Sequence, residues 1–97
     1  MKWTISLLLF FVSLTVSGQI TGYVYDRSNN QPLPGTNVVV KATMEGAISD
    51  ENGYFSINAN VGDVLSVSFI GYIPNDVEIK NQSEITVFLD PSTEQLD

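Results

Sequence analysis

The chain has 97 residues with eleven acids against four bases, and it contains neither cysteine nor histidine. Disulfides, thiolate nucleophiles and the usual imidazole general base are therefore excluded, together with metal sites built from those side chains. Past residue 18 the eleven acids face only Arg27, Lys41 and Lys80, a net charge of −8 that repels phosphate backbones and anionic lipid headgroups.

The first element is a leader. Lys2 supplies a positive end, Ile5 to Val16 is apolar apart from Ser and Thr, and Val16-Ser17-Gly18 offers the small residues that a signal peptidase requires. The run is shorter than the roughly 20 apolar residues needed to cross a bilayer, so residues 1–18 read as a signal peptide cut before Gln19. No cysteine is available for a lipid anchor after the cut.

From Gln19 the pattern is one of short strands with period-two alternation, divided by Gly, Pro, Asn and Asp. Ile20, Gly22 and Val24 share one face of the first strand, and Thr21, Tyr23 and Tyr25 the other. A polar turn over Asp26 to Pro34 leads to Val38, Val40 and Ala42, which alternate with Asn37, Val39 and Lys41. Asp50-Glu51-Asn52-Gly53 is a hairpin signal, because Asn-Gly tolerates positive φ and the Asp50 carboxylate can fold back onto the turn's N–H groups. Phe55 and Ile57 follow on one face and Tyr54, Ser56 and Asn58 on the other. Leu65, Val67 and Phe69 alternate with Ser66 and Ser68 in a strand expected over Val64 to Ile70, which Gly71 and Pro74 break. Val77 and Ile79, then Ile85, Val87 and Leu89, mark the last two strands before Asp90-Pro91.

Seven short strands with no helical stripe after the leader predict an all-β, seven-stranded antiparallel sandwich over residues 19–90, each sheet covering the other's apolar face. The expected core is Ile20, Val24, Val38, Val40, Phe55, Ile57, Leu65, Val67, Phe69, Val77, Ile79, Ile85, Val87 and Leu89. Residues 91–97 read as an extended tail with too little apolar content to pack.

Four blocks stand in order along this stretch: Gly22-Tyr23-Val24-Tyr25-Asp26, Gln31-Pro32-Leu33-Pro34-Gly35-Thr36-Asn37-Val38, Ser49-Asp50-Glu51-Asn52-Gly53-Tyr54-Phe55 and Val67-Ser68-Phe69-Ile70-Gly71-Tyr72. Together they resemble the carboxypeptidase-regulatory-like domain. The resemblance implies a prealbumin-type (Ig-like) sandwich and, in Bacteroidetes-type bacteria, a position after the signal peptide of SusC/RagA-type TonB-dependent outer-membrane receptors or of other surface and periplasmic proteins. In those receptors a TonB box, a plug and a barrel follow. None of the three stands before Asp97, so the expectation for this chain is an exported module, periplasmic or associated with the outer membrane, which is monomeric and moves no nutrient by itself.

Catalysis has few carriers. Asp50, Glu51 and Asp63 are the carboxylates that could be nominated for glycoside hydrolysis, but their spacing sets no acid and base across a cleft. Asp50-x-Asn52-Gly53 lacks the later bidentate Glu of a calcium loop and reads as a turn. The chain is thus expected to be no enzyme and to hold no metal or cofactor. The candidate interaction surface is Tyr23, Tyr25, Tyr54 and Phe88, all opposite the expected core face. These aromatics suit anchoring of a protein partner, such as a component of the receptor complex, better than stacking of a carbohydrate, for which the sequence shows no polar clamp. A stand-alone periplasmic or surface binding domain is the alternative to the receptor extension.

Overall fold

The computed structural model describes residues 18–92. The signal-peptide assignment and most of the expected tail lie outside them. Within them the chain forms seven strands: β1 (Gln19–Asp26), β2 (Asn37–Val40), β3 (Gly46–Ile48), β4 (Tyr54–Asn58), β5 (Val64–Ser68), β6 (Asn75–Glu78) and β7 (Glu84–Leu89). They divide into a three-stranded sheet, ordered β4-β1-β7, and a four-stranded sheet, ordered β3-β2-β5-β6.

The alternation read from the sequence governs how the sheets face each other. Ile20, Val24, Phe55, Ile57, Ile85, Val87 and Leu89 from one sheet meet Val38, Val40, Leu65 and Val67 from the other, all buried, with Ile79 beside them. Full burial of each such side chain is worth about 1.5–3 kcal/mol, which is the main force closing a sandwich without disulfides. Leu33 and Ala59 join this core although the alternation did not place them there. Phe69 and Val77 are only half-buried against it. Val77 lies on an edge strand, and β5 stops at Ser68 because its neighbours stop there: Ser68 pairs with Asn37, the first residue of β2, and Val67 with Asn75, the first of β6.

Two expectations need correction. The sandwich is not wholly antiparallel, since β7 runs parallel to β1 from Thr21↔Glu84 to Asp26↔Leu89. This follows from the last strand reaching the three-stranded sheet after a crossover from the other sheet, rather than through a hairpin with its neighbour. The Asn52-Gly53 turn likewise does not close a hairpin. β3 pairs with β2 and β4 with β1, so the turn carries the chain from one sheet to the other.

The turn's chemistry explains the transfer. Asp50 folds back as expected, its carboxylate accepting from the N–H groups of Asn52 (2.9 Å) and Tyr54 (3.0 Å). Gly53 has a φ of +79° and offers its carbonyl to the Val24 N–H at 2.8 Å, drawing β4 to β1. A Cβ there would lie 2.6 Å from the Val24 oxygen, so glycine is required for both conformation and approach. Before the turn, Ser49 is pulled the other way. It is buried, its Oγ donates to the Leu33 carbonyl (2.6 Å) and accepts from the Thr36 N–H (2.8 Å), and Thr36 Oγ1 donates to the same carbonyl at 3.1 Å. The Pro32-Leu33-Pro34-Gly35-Thr36 and Ser49-Asp50 blocks are therefore two halves of one satisfied polar joint.

Candidate interaction surface

β1 carries Tyr23 and Tyr25 on its outward face, in register with Tyr54 of β4 and Phe88 of β7: Tyr23 stands opposite Tyr54, and Tyr25 opposite Phe88. The four rings touch in a continuous row. Tyr54 meets Tyr23 edge-on at 5.3 Å between centroids, Tyr23 stacks with Tyr25 at 6.1 Å, and Tyr25 meets Phe88 at 5.8 Å. Arg27 continues the same face just past β1, its guanidinium 5.3 Å from the Phe88 centroid, and pairs with Asp90 at 2.9 Å. All four candidate aromatics are thus brought together and half-exposed. Each ring contact contributes about 0.5–1.5 kcal/mol beyond area burial, so the row also fastens its own three strands.

A shallow depression of about 290 Å³ opens at the Phe88 end of the row, lined by Tyr25, Phe88 and Asn30. Asn30 adopts a φ of +59°. Arg27 and Asn30 were not among the sequence candidates. Arg27 had a signal, since it continues the odd-numbered outward positions of β1, whereas Asn30 reaches the face only through the loop's path. The outward side chains of β4, β1 and β7 carry a single charge, Glu84. The outer face of the other sheet presents Asn37, Ser66, Ser68, Asp76 and Glu78 together with Val39, Ile48 and Val64, and Asp76 is bound to Lys41 at 2.9 Å.

A second constellation lies where β1 ends. Asp26 is buried, its Oδ1 accepting from the Ser28 N–H (2.7 Å) and Oγ (2.6 Å), and its Oδ2 from the Tyr72 hydroxyl at 2.5 Å. The Ser28 and Tyr72 hydroxyls hold the Asp26 carboxyl below the usual carboxylate range, and the Asp26 carboxylate pushes the Tyr72 phenol up. The pair staples the Gly71-Tyr72 loop to the opposite sheet. Every hydrogen bond in it satisfies a partner within the fold, which marks it as structural. Among the described residues no group of three His, Cys, Asp or Glu stands close enough to hold a metal ion, and no helix is long and apolar enough to cross a membrane.

The CarboxypepD_reg-like domain profile matches residues 20–97, from the second residue of β1 onward. The chain belongs to that family. TonB-dependent receptor SusC of Bacteroides thetaiotaomicron is 40% identical over 90 residues, which make up 90% of this chain and 9% of that protein. TonB-dependent receptor P39 of Formosa agariphila is 34% identical over 97 residues, 94% of this chain and 9% of that protein. The chain therefore spans about a tenth of the length of these relatives. Among solved structures, a type II cohesin–X-dockerin complex of Acetivibrio cellulolyticus aligns with a TM-score of 0.59 at 18% identity, over 74% of this chain and 56% of that one. Shaft pilin SpaA of Lactobacillus rhamnosus GG aligns at 0.51 and 13% identity, over 84% of this chain and 48% of that one. At such identities these two similarities speak for the fold alone. In this CarboxypepD_reg-like domain Asp26, Leu33, Thr36, Ser49, Asp50, Gly53 and Tyr72 all make contacts that hold the fold together.

Proposed function

We propose that this domain is a non-enzymatic accessory module of a TonB-dependent outer-membrane receptor, exported and facing the periplasm, which docks a protein component of the receptor complex through its aromatic face. The observation that carries this reading is the 40% identity to a TonB-dependent receptor across nine-tenths of the chain. The aromatic row supports the docking part, because tyrosine and arginine are the residues on which interface energy concentrates. Its near-neutrality in an otherwise acidic molecule supports it further, since a partner can approach this face with little charge to desolvate.

The test is made in a receptor that carries this domain. Deleting residues 19–90 should weaken energised uptake while leaving the barrel inserted in the outer membrane. Replacing Tyr25 and Phe88 together by Ser should reproduce much of that loss with the domain still folded. Uptake unaffected by the deletion refutes the accessory role. Uptake lost on deletion but kept by the double variant refutes the aromatic face as its means.

A further inference from the structure

An open sheet ends in strands whose outer N–H and C=O groups lack a neighbour, and this molecule has four such edges: β4 and β7 in one sheet, β3 and β6 in the other. Three of them are short, capped or charged. β3 has only three residues. On β4 the Tyr54 N–H and carbonyl are taken by Asp50 of the preceding turn, which leaves Ser56 and Asn58. On β6 the Ile79 N–H donates to the Asp63 carbonyl, so Asn75 and Val77 turn their backbone toward β5, and the residues turned to the open side are Asp76 and Glu78. Charge at these positions is a common guard against an added strand.

β7 has weaker defences. In a parallel ladder, alternate residues turn their backbone groups to the neighbouring strand. The Thr21 N–H donates to the Ser83 carbonyl (3.1 Å) and the Arg27 N–H to the Leu89 carbonyl (2.9 Å), which fixes Ile85, Val87 and Leu89 toward β1 and turns Glu84, Thr86 and Phe88 away. Of these outward groups only the Phe88 carbonyl has a partner among the described residues, the Asn75 side-chain amide at 3.4 Å. The strand runs six residues without glycine, proline, lysine or a bulge. The sheets also differ by one strand: counted from the side where the Asp50 turn joins β3 to β4, β7 is the last of three and β6 the last of four. Val77, two residues from Asn75 on the inward face of β6, is half-buried at this side, so a strand beside β7 would cover apolar surface as well as pair backbone groups.

We infer that the outer edge of β7 accepts an extended segment of a partner protein as a further strand, with apolar residues at alternate positions toward Val77 and a lysine or arginine opposite Glu84. Charge selects this occupant over a second copy of the chain. Two copies meeting edge to edge would bring together Asp76, Glu78 and Glu84 of each, in a molecule whose eleven acids past residue 18 face only Arg27, Lys41 and Lys80. A basic segment instead gains a cross-strand pair with Glu84. The inference goes beyond the docking reading above and does not rest on it, because it concerns main-chain groups at the sheet edge rather than the aromatic rings on its face.

The probe is a capped peptide of alternating Val and Lys, about eight residues long so that it spans β7, titrated into isotopically labelled full chain and followed by NMR. A peptide of alternating Val and Glu is the control. The basic peptide should slow exchange of the Thr86 and Phe88 N–H groups and shift the Val77 methyls, and the acidic one should do neither. Thr86→Pro should weaken the basic peptide about tenfold by removing one outward N–H. That N–H lies outside the ladder to β1, and proline is tolerated on an edge strand, so the variant keeps its fold. Glu84→Lys should reverse the preference between the two peptides. Thr86 and Phe88 N–H groups that exchange equally fast with and without the basic peptide overturn the proposal. So does a response confined to Tyr23, Tyr25 and Tyr54, which assigns the peptide to the aromatic face, and so does protection of β7 that rises with protein concentration alone, which assigns the edge to a second copy.

Discussion

Gly22 lies on the inward face of β1 where valine or isoleucine would be expected, and the reason is the close approach of the Ile85 backbone and the Phe55 ring. A Cβ at this position would sit 2.6 Å from the Ile85 carbonyl oxygen and 2.7 Å from Phe55 Cζ. The Ile85 carbonyl and the Phe55 ring together occupy the volume that a side chain on β1 would have filled, so Gly22→Ala should destabilise by about 1–3 kcal/mol through overpacking, read from the midpoint of a urea titration. Asp26 carries the pH dependence. Its folded pKa lies below the unfolded value near 3.9, so its contribution is complete above that value and is lost as the pH falls through the folded one. Tyr72→Phe removes one of the hydrogen bonds that depress it. Denaturant titrations across pH should show this variant less stable than the parent at pH 7, with a smaller further loss below pH 4. Equal losses in both proteins would mean that the phenol does not tune the carboxylate.

Among the elements, strands were legible and their partners were not. Period-two alternation identified the inward residues of β1, β2, β4, β5 and β7, because a sheet with one dry face writes its orientation into every second side chain. Asn52-Gly53 reads as a hairpin, and local turn chemistry cannot reveal otherwise. What separates β3 from β4 is non-local, namely the Gly53 carbonyl on Val24 and the Ser49 hydroxyl on Leu33. Leu33 was hidden for a related reason, as a single apolar residue between two prolines offers no period. Ser49→Ala should cost about 1–3 kcal/mol, since it leaves the buried Thr36 N–H without its acceptor. Phe69→Ala should cost less than Leu65→Ala, for which about 2–5 kcal/mol is expected from full burial, because the Phe69 side chain is only half-covered. Chemical denaturation of the two variants side by side decides the order.

At the scale of the whole molecule the two outer faces differ, one carrying the aromatic row and a single strand charge, the other mixing Asn, Ser, Asp and Glu with Val39, Ile48 and Val64 and carrying no aromatic ring. The four aromatic candidates were legible because alternation puts Tyr23, Tyr25, Tyr54 and Phe88 outward on their strands. That they form one row was not, since it depends on strand order and on the register between β4, β1 and β7. The parallel register has a further consequence, mechanical in kind. Gly18 and Ser92 lie at opposite ends of adjacent strands that run the same way, so tension applied between them slides β7 along β1 and loads the rungs of that ladder together. Tension between Gly18 and Ala59, at the neighbouring ends of the antiparallel pair β1 and β4, peels rungs one after another. Single-molecule extension should therefore show rupture at markedly higher force from residues 18 and 92 than from residues 18 and 59. A domain pulled along its own polypeptide would act as a stiff link that transmits load to whatever is joined at either end.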